Sequence, residues 1–164
     1  MSKKNLIYYP SQILRTPSEP IKGFNRHDLS KLVANMEETM LKSKGIGLAA
    51  PQIGLNIRLI VVATKAGVVP YLNPIIFHSS LKKEVGEEGC LSIPGVFGLV
   101  KRHRHIRVSA QTPEGKSTVF KATGLFARVI QHEIDHLNGV LFIDQALTIT
   151  QGQKILAQYD STKI

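Results

Sequence analysis

The chain has 164 residues, 43% of them hydrophobic, and it carries a formal net charge of +9. This length and composition predict one globular domain over residues 1–164 and argue against a disordered chain. The longest apolar runs are too short to cross a bilayer, so we expect no membrane partner. The single cysteine excludes an internal disulfide and suits a reducing compartment.

The positive charge favours association with anionic partners such as RNA, ribosomes or membrane surfaces, although it says nothing about the fold. The first residues lack the apolar core of a secretory signal. Because the first acidic residue is Glu19, an organelle-targeting segment stays open as the less favoured alternative to a cytoplasmic protein of bacterial type.

The first long helix is predicted over residues 26–43, where leucine, valine and methionine recur with helical spacing. Asn25 is a suitable N-cap for this helix, and Gly45 ends it. A loop with three glycines is predicted next, over residues 45–54.

Four strands are predicted, and the turn at residues 113–115 joins the last two as a hairpin. Their ranges are 58–64, 71–77, 106–112 and 117–122. A buried helix follows over residues 124–137, and a short C-terminal helix, weakened by Gly152, is predicted at about 148–159. These elements predict an α+β fold with antiparallel strands packed around a central helix.

The central helix carries His-Glu-x-x-His at residues 132–136, the most informative pattern in the chain. Because residues four apart lie one turn above each other on a helix, His132 and His136 can bind one metal ion from the same face. Glu133 lies beside the first ligand, where its carboxylate can act as general base toward a water at the metal. The pattern therefore indicates a metal-dependent hydrolase.

A third ligand is available in Cys90, because a thiolate suits both Zn²⁺ and Fe²⁺. Three protein ligands would leave a further position open for water, as catalytic metal sites do. The alternative for a lone cysteine is a small buried hydrophobe. A closed structural site would need a fourth ligand from one of the other histidines. The candidates are His27, His78, His103 and His105.

Two acidic residues on the predicted helix also need explaining. Glu133 lies among apolar residues, and a buried carboxylate is costly unless it has a task, which favours a catalytic role. Asp135 is equally compatible with supporting the site and with exposure to solvent.

Three motifs, in order along the chain, resemble those of the peptide deformylase family. They are residues 45–52 (GIGLAAPQ), 88–92 (EGCLS) and 131–136 (QHEIDH). Further matching residues follow the third motif as far as Asp144, so that the resemblance covers most of the chain. Three ordered motifs are far more specific than the histidine pattern alone.

The resemblance implies an enzyme that hydrolyses the formyl group from N-formylmethionine at the start of new polypeptides and releases formate. It also implies roles for particular residues. The implied metal ligands are Cys90, His132 and His136, and the implied catalytic residues are Glu133, Gln52 and Leu91. Glu133 would transfer protons, whereas the side-chain amide of Gln52 and the backbone N–H of Leu91 would stabilise the developing oxyanion.

Substrate contacts are implied as well. The backbone of Ile46 and Gly47 would pair with the peptide as an added strand. Leu125 and Val129 match positions that line the methionine pocket, although both could also serve as ordinary core residues. Phe97 stands where many members carry Arg or Tyr, so the resemblance implies an apolar contact there in place of a charge or hydrogen bond.

The implied cofactor is one divalent metal ion, Fe²⁺ in the native enzyme, for which Zn²⁺, Ni²⁺ or Co²⁺ can substitute. The implied partners are formyl-methionine nascent peptides. We expect only a weak association with the ribosome, because residues 145–164 hold just two lysines, and we expect no specific DNA binding.

A basic cluster over residues 101–107 could steer RNA at the ribosome, but a solvated strand face is the favoured interpretation. Arg102 matches a basic position of the family, with a structural role. His103 and His105 are expected on one face of a strand. Two other functions stay open: a different metal amidohydrolase or peptidase, and a basic ribosome-binding module with a structural metal.

Overall fold

The computed structural model describes residues 5–23 and 25–161. Its helices are α1 (Arg26–Lys42), α2 (Gly124–Leu137), α3 (Phe142–Gln145) and α4 (Gln153–Ser161), with 3₁₀ helices at Gln12–Arg15 and Ala50–Ile53. Its strands are β1 (Gly47–Ala49), β2 (Leu59–Thr64), β3 (Gly67–Ser79), β4 (Lys83–Cys90), β5 (Ile93–His103), β6 (His105–Gln111), β7 (Ser117–Thr123) and β8 (Ala146–Gln151). Among the described residues, no helix has both the length and the apolar character that crossing a bilayer requires.

The strands form two antiparallel sheets. The five-stranded sheet has the order β1-β2-β3-β6-β7, and the three-stranded sheet has the order β4-β5-β8. Helix α2 contacts strands of both sheets, so it is the central element of the fold. The predicted α+β class, with antiparallel strands around the helix that carries the histidine pair, is confirmed.

Strand β2 explains how the five-stranded sheet is held between two helices. Ile60 and Val62 belong to an apolar cluster with residues of α2, whereas Leu59 and Val61 belong to a second cluster with residues of α1. Successive side chains of a strand point to opposite faces, and here both faces are covered. The uninterrupted apolar run of β2 follows from that double burial.

A third apolar cluster lies beneath the three-stranded sheet. Ile93, Val96 and Val100 of β5 pack there with Leu141 and Phe142, which lie at the start of α3. This cluster packs the β4–β5 hairpin against the segment that follows α2. Cys90, at the end of β4, also packs against the cluster.

The predictions for α1, β2, the β6–β7 hairpin and α2 are confirmed within a few residues. Two predictions are wrong. The glycine loop at 45–54 contains β1 and a 3₁₀ helix, because Gly47–Ala49 pairs with the edge of β2. The predicted C-terminal helix at 148–159 begins only at Gln153, because residues up to Gln151 pair with β5 as strand β8.

Candidate active site

Three potential metal ligands converge at one end of α2. Cys90 is the last residue of β4, and its Sγ lies 3.2 Å from Nε2 of His136. The ligand atoms of Cys90, His132 and His136 all lie within 4.8 Å of one another. Metal–sulfur and metal–nitrogen bonds of about 2.0–2.3 Å place neighbouring tetrahedral ligands roughly 3.3–3.8 Å apart. The three side chains therefore fit one divalent cation with only small adjustments.

The protonation of the two imidazoles is also suited to a cation. Burial lowers the pKa of His136 well below its usual value, so its imidazole is neutral and free to act as a ligand. Burial opposes charge on His132 as well, but hydrogen bonds with Cys90 and Glu88 raise its pKa well above the usual value. A cation at this site would therefore displace a proton from the His132–Cys90 pair.

Glu88 of β4 fixes the orientation of His132. Its Oε2 lies 2.9 Å from His132 Nδ1, which leaves Nε2 of that ring to face Cys90 and His136. Arg102 donates from Nε and Nη2 to the two carboxylate oxygens, over 2.9 and 3.0 Å. Such a carboxylate is the usual outer partner of a metal-binding imidazole.

The charge of Glu88 is secured by its partners. Burial alone would raise its pKa, but the hydrogen bonds with His132 and Arg102 lower the pKa to about 2. Arg128 of α2 adds a further donor at 2.8 Å. Glu88 belongs to the second family motif, but the sequence alone did not predict this role. The available signal was an acidic residue two positions before the ligand cysteine.

Asp135 supports the site and is not simply solvated. Its carboxylate accepts a hydrogen bond from Arg102 Nη1, so that this arginine joins β5 to the helix that carries the histidines. The predicted structural role of Arg102 is therefore confirmed. The solvated-face interpretation of residues 101–107 is wrong for Arg102, which is buried, although Lys101 and Arg107 are exposed.

Glu133 is the least hydrated carboxylate of the site. It is 4% exposed, and its Oε2 has no hydrogen-bond partner among the described residues. Burial raises the pKa of Glu133 to about 7, a value suited to taking up and releasing a proton near neutrality. Strand β1 passes so close that a Cβ on Gly47 would lie 2.3 Å from Glu133 Oε1. Glycine at position 47 therefore makes room for this carboxylate.

Gln52 lies in the 3₁₀ helix that follows β1, and it is only 2% exposed. The backbone N–H of Ala49 donates to its Oε1 over 2.8 Å, which turns the amide nitrogen toward the ligands. That nitrogen lies 3.2 Å from Ser92 Oγ and 3.5 Å from Cys90 Sγ. The amide nitrogen is thus held next to the sulfur of Cys90.

A cleft of about 440 Å³ opens onto these groups. All the predicted site residues except His136, which is 1% exposed, line it. Leu91 lies in the two-residue turn between β4 and β5, at the wall of the cleft. Ile46 and Leu125 are exposed at its mouth, whereas Val129 is buried beside Glu133.

The other histidines do not complete a closed site. Among the described residues, none of them joins the group formed by Cys90, His132 and His136. His103 ends β5 and bonds through Nδ1 to the Ser80 carbonyl over 2.6 Å. His105 begins β6 in the other sheet, so the prediction that His103 and His105 share a strand face is wrong.

Comparison with known proteins agrees with this geometry. The family described as polypeptide deformylase matches residues 3–151. The peptide deformylase 1 of Bacillus anthracis is 44% identical over 144 residues, which cover 87% of this chain and 91% of that protein.

Solved structures are similar as well. The peptide deformylase of Thermotoga maritima superposes with a TM-score of 0.87 at 38% identity, over 90% of this chain and all of that one. The enzyme of Synechococcus elongatus, solved in complex with actinonin, gives 0.86 at 37% identity, over 97% of this chain and 86% of that one. The chain therefore belongs to the peptide deformylase family, whose members hydrolyse the formyl group from the first methionine of new polypeptides.

Proposed function

We propose that Cys90, His132 and His136 hold one divalent cation and that Glu133 moves the protons of the deformylase reaction. The observation that carries this proposal is the convergence of three ligand atoms within 4.8 Å at the wall of a cleft that Glu133 also lines. With three protein ligands, the cation keeps a position open for the reaction.

The proposed native cation is Fe²⁺, with Zn²⁺, Ni²⁺ or Co²⁺ able to substitute. One thiolate and two imidazoles suit each of these ions, so the ligand types alone do not select among them. A cation bound there supplies Lewis acidity, which polarises the formyl carbonyl and strengthens a water as nucleophile.

Glu133 would act first as base and then as acid. Its carboxylate takes a proton from the attacking water, whose oxygen bonds to the formyl carbon. When the bond between that carbon and the methionine nitrogen breaks, the same proton passes to the leaving amine, and formate is released. A pKa of about 7 for Glu133 supports both directions of transfer.

Two donors would stabilise the negative charge that develops on the formyl oxygen. The amide nitrogen of Gln52 is held toward the ligands because Ala49 fixes the amide oxygen. The backbone N–H of Leu91 lies in the tight turn next to Cys90. Removing one such donor from an oxyanion site typically costs about 100- to 1,000-fold in rate.

The methionine side chain would occupy the apolar part of the cleft. Leu125, Val129 and Phe97 line it, and their apolar atoms suit an unbranched thioether. The peptide backbone would lie along Ile46 and Gly47, at the edge strand β1, where strand addition tolerates varied sequence after the first residue.

The proposed setting is a bacterial-type cytoplasm, which the bacterial origin of the relatives supports. The enzyme acts on formylated nascent peptides, and we propose a weak contact with the ribosome. Lys154 is the only cation of the tail within the described residues, which favours a weak contact over a strong docking helix.

The substrate test compares formate release from formyl-Met peptides with hydrolysis of the matching acetyl-Met peptide. We expect efficient cleavage of the formyl peptide alone, because the reacting group must fit beside Gln52 and Leu91. Equal cleavage of the acetyl peptide would instead support a broader amidohydrolase.

The role test uses Glu133→Gln, with the exposed Glu19→Gln as its matched control. Glu133→Gln should retain the metal and lose at least about 100-fold in kcat, because general acid–base catalysis contributes that much. Glu19→Gln should behave as the parent enzyme. Full activity of Glu133→Gln would remove Glu133 from the mechanism.

The ligand test measures metal content after anaerobic purification. Cys90→Ala should lose the cation, because two ligands on one helix cannot hold it alone. Full retention of the metal would remove Cys90 from the ligand set.

A further inference from the structure

The strands β3, β6 and β7 expose a face on the side of the five-stranded sheet away from α2. On β6, Ile106 and Val108 belong to the apolar cluster with α2, so Arg107 and Ser109 lie on the opposite face. The register places neighbours on adjacent strands beside them. We call this surface the outer face, formed by Ile75, Phe77, His78, Arg107, Ser109, Val119 and Lys121.

The outer face carries a row of basic groups. The strand register pairs Arg107 with His78 on one side and with Lys121 on the other. Because adjacent strands lie about 5 Å apart, these three residues lie in one short row across the strands. A groove of about 240 Å³ runs along this line, and His105 and Thr123 also contribute to it.

The charge of this row is not neutralised locally. Strands β3, β6 and β7 contain no aspartate or glutamate. Within the part of the chain that the structure describes, no carboxylate forms an ion pair with Arg107 or Lys121. The row is therefore an uncompensated positive patch, ready to bind anionic groups.

An exposed aromatic ring lies beside the basic row. The register shift between Ile76 and His78 sets two exposed residues, Phe77 and His78, opposite Arg107. Phe77 is 52% exposed, although burial of a phenylalanine ring is favourable. Proteins that bind single-stranded nucleic acid combine such exposed aromatic rings, on which bases stack, with nearby cationic side chains.

We propose that the outer face binds single-stranded RNA, with Arg107 and Lys121 on phosphates and Phe77 stacked on a base. This deepens the weak ribosome contact proposed above, and it is independent of the catalytic roles. The charge complementarity selects an anionic polymer, and the aromatic ring selects bases. A membrane is less well matched, because the apolar row of Ile75 and Val119 is interrupted by Ser109.

The face is well placed for this role. Helix α2, which carries the catalytic residues, packs against the other side of the same sheet. RNA bound to the outer face would leave the substrate cleft open. A nascent peptide emerging beside ribosomal RNA could therefore enter the cleft while the outer face holds the RNA.

The test measures binding of a fluorescent oligouridylate of about 15 nucleotides to the metal-loaded full-length protein at low salt, a length that suits one binding face. Arg107→Ala/Lys121→Ala should weaken binding roughly ten-fold or more and reduce the slope of log K against log salt by about 1.4, which is 0.7 for each lost phosphate contact. Phe77→Ala should weaken binding about five-fold or more, because a stacked base is lost.

The matched control is Lys101→Ala/Lys154→Ala, which removes two exposed lysines from β5 and α4. It should retain nearly all RNA binding, and every variant should deformylate a short formyl-Met peptide at the parent rate. Equal loss in the control and the outer-face variants would overturn the proposal, since binding would then follow total charge alone.

Two other outcomes would also overturn it. One is binding to vesicles that contain phosphatidylglycerol, lost in the outer-face variant, with no binding to RNA. The other is self-association through the outer face, seen by sedimentation as a dimer that Phe77→Ala disrupts. In either case, unchanged deformylation would show that the catalytic proposal stands separately.

Discussion

The two sheets hold the central helix α2 in different ways. The five-stranded sheet packs on α2 through apolar side chains such as Ile60, which lie in one buried cluster. The three-stranded sheet is joined to α2 by charge and hydrogen bonds, because Arg102 of β5 pairs with Asp135 and Arg128 of α2 reaches Glu88. Arg128 also donates to backbone oxygens of β4 and β5.

We infer that the apolar contacts mainly stabilise the fold, whereas the polar contacts mainly fix the geometry of the site. Apolar packing is strong but not directional, so it tolerates small shifts of a strand. Buried ion pairs and their hydrogen bonds have fixed geometry and are costly when half broken. The polar contacts therefore add directional precision to the position of Cys90, at the end of β4, relative to the histidines of α2.

The largest effect should come from Arg102→Leu, which leaves Glu88 and Asp135 without their main buried partner. We expect a loss of about 3–5 kcal/mol in the free energy of unfolding, measured by urea denaturation. The matched control is Arg104→Ala, since Arg104 pairs with Glu84 at 3.3 Å on the surface. The control should lose at most about 1 kcal/mol. Equal losses in the two variants would mean that the buried network stabilises the fold no more than a surface ion pair does.

Gly47→Ala tests the close approach of strand β1, in the five-stranded sheet, to Glu133. The added methyl would lie 2.3 Å from Glu133 Oε1 and 2.9 Å from Val129 Cγ1, so the carboxylate must move. We expect kcat to fall roughly 100-fold, because displacement of about 1 Å can cost that much. Metal content, measured in parallel, should not change. A kcat equal to that of the parent enzyme would show that Glu133 can shift away from the added methyl and still work.

Glu88→Gln probes the contact that orients His132. The amide cannot hold the imidazole as a carboxylate does, so we expect metal affinity to fall about 10- to 100-fold. Competition with a chelator measures it. The neighbouring Glu87→Gln is the control, because Glu87 is exposed and its carboxylate accepts a hydrogen bond only from Thr150 among the described residues. An unchanged affinity in Glu88→Gln would assign the orientation of His132 to packing alone.

The smallest effect should come from the apolar side of α2. Ile130→Val removes one methylene from a fully buried residue of the five-stranded sheet's cluster. We expect a loss of about 0.5–1.5 kcal/mol in the free energy of unfolding. Metal affinity should stay at the parent value, because the ligands are positioned from the polar side. A large fall in metal affinity would contradict the separation between the two sheets.

The elements that were predicted correctly have strong local patterns. Helices α1 and α2 show clear periodicity and strand β2 is an uninterrupted apolar run, because one or both faces of each element are buried in apolar clusters. The β4–β5 hairpin was not predicted, since β4 is rich in charge and glycine. Its glycines have structural reasons that no local pattern reveals: a Cβ on Gly89 would lie 2.7 Å from the ring of Phe97.

The prediction for the C-terminal end, a helix over residues 148–159, was wrong for its first residues. Residues 146–151 have helical neighbours in the chain, yet they pair with the free edge of β5 as strand β8. Gly152, with a positive φ of 83°, allows the turn into α4. Strand pairing of this kind depends on a partner that lies far away in sequence, so local propensity cannot reveal it.

By itself, the sequence determined the candidate metal ligands, the one-turn spacing of His132 and His136, and the family resemblance, because these are properties of residue identity and short-range geometry. Only the tertiary structure decided that Cys90 lies against the histidines, that Glu88 and Arg102 form their buried support, and that the basic row shares one exposed face. These depend on how distant strands pair and pack, which no local pattern specifies.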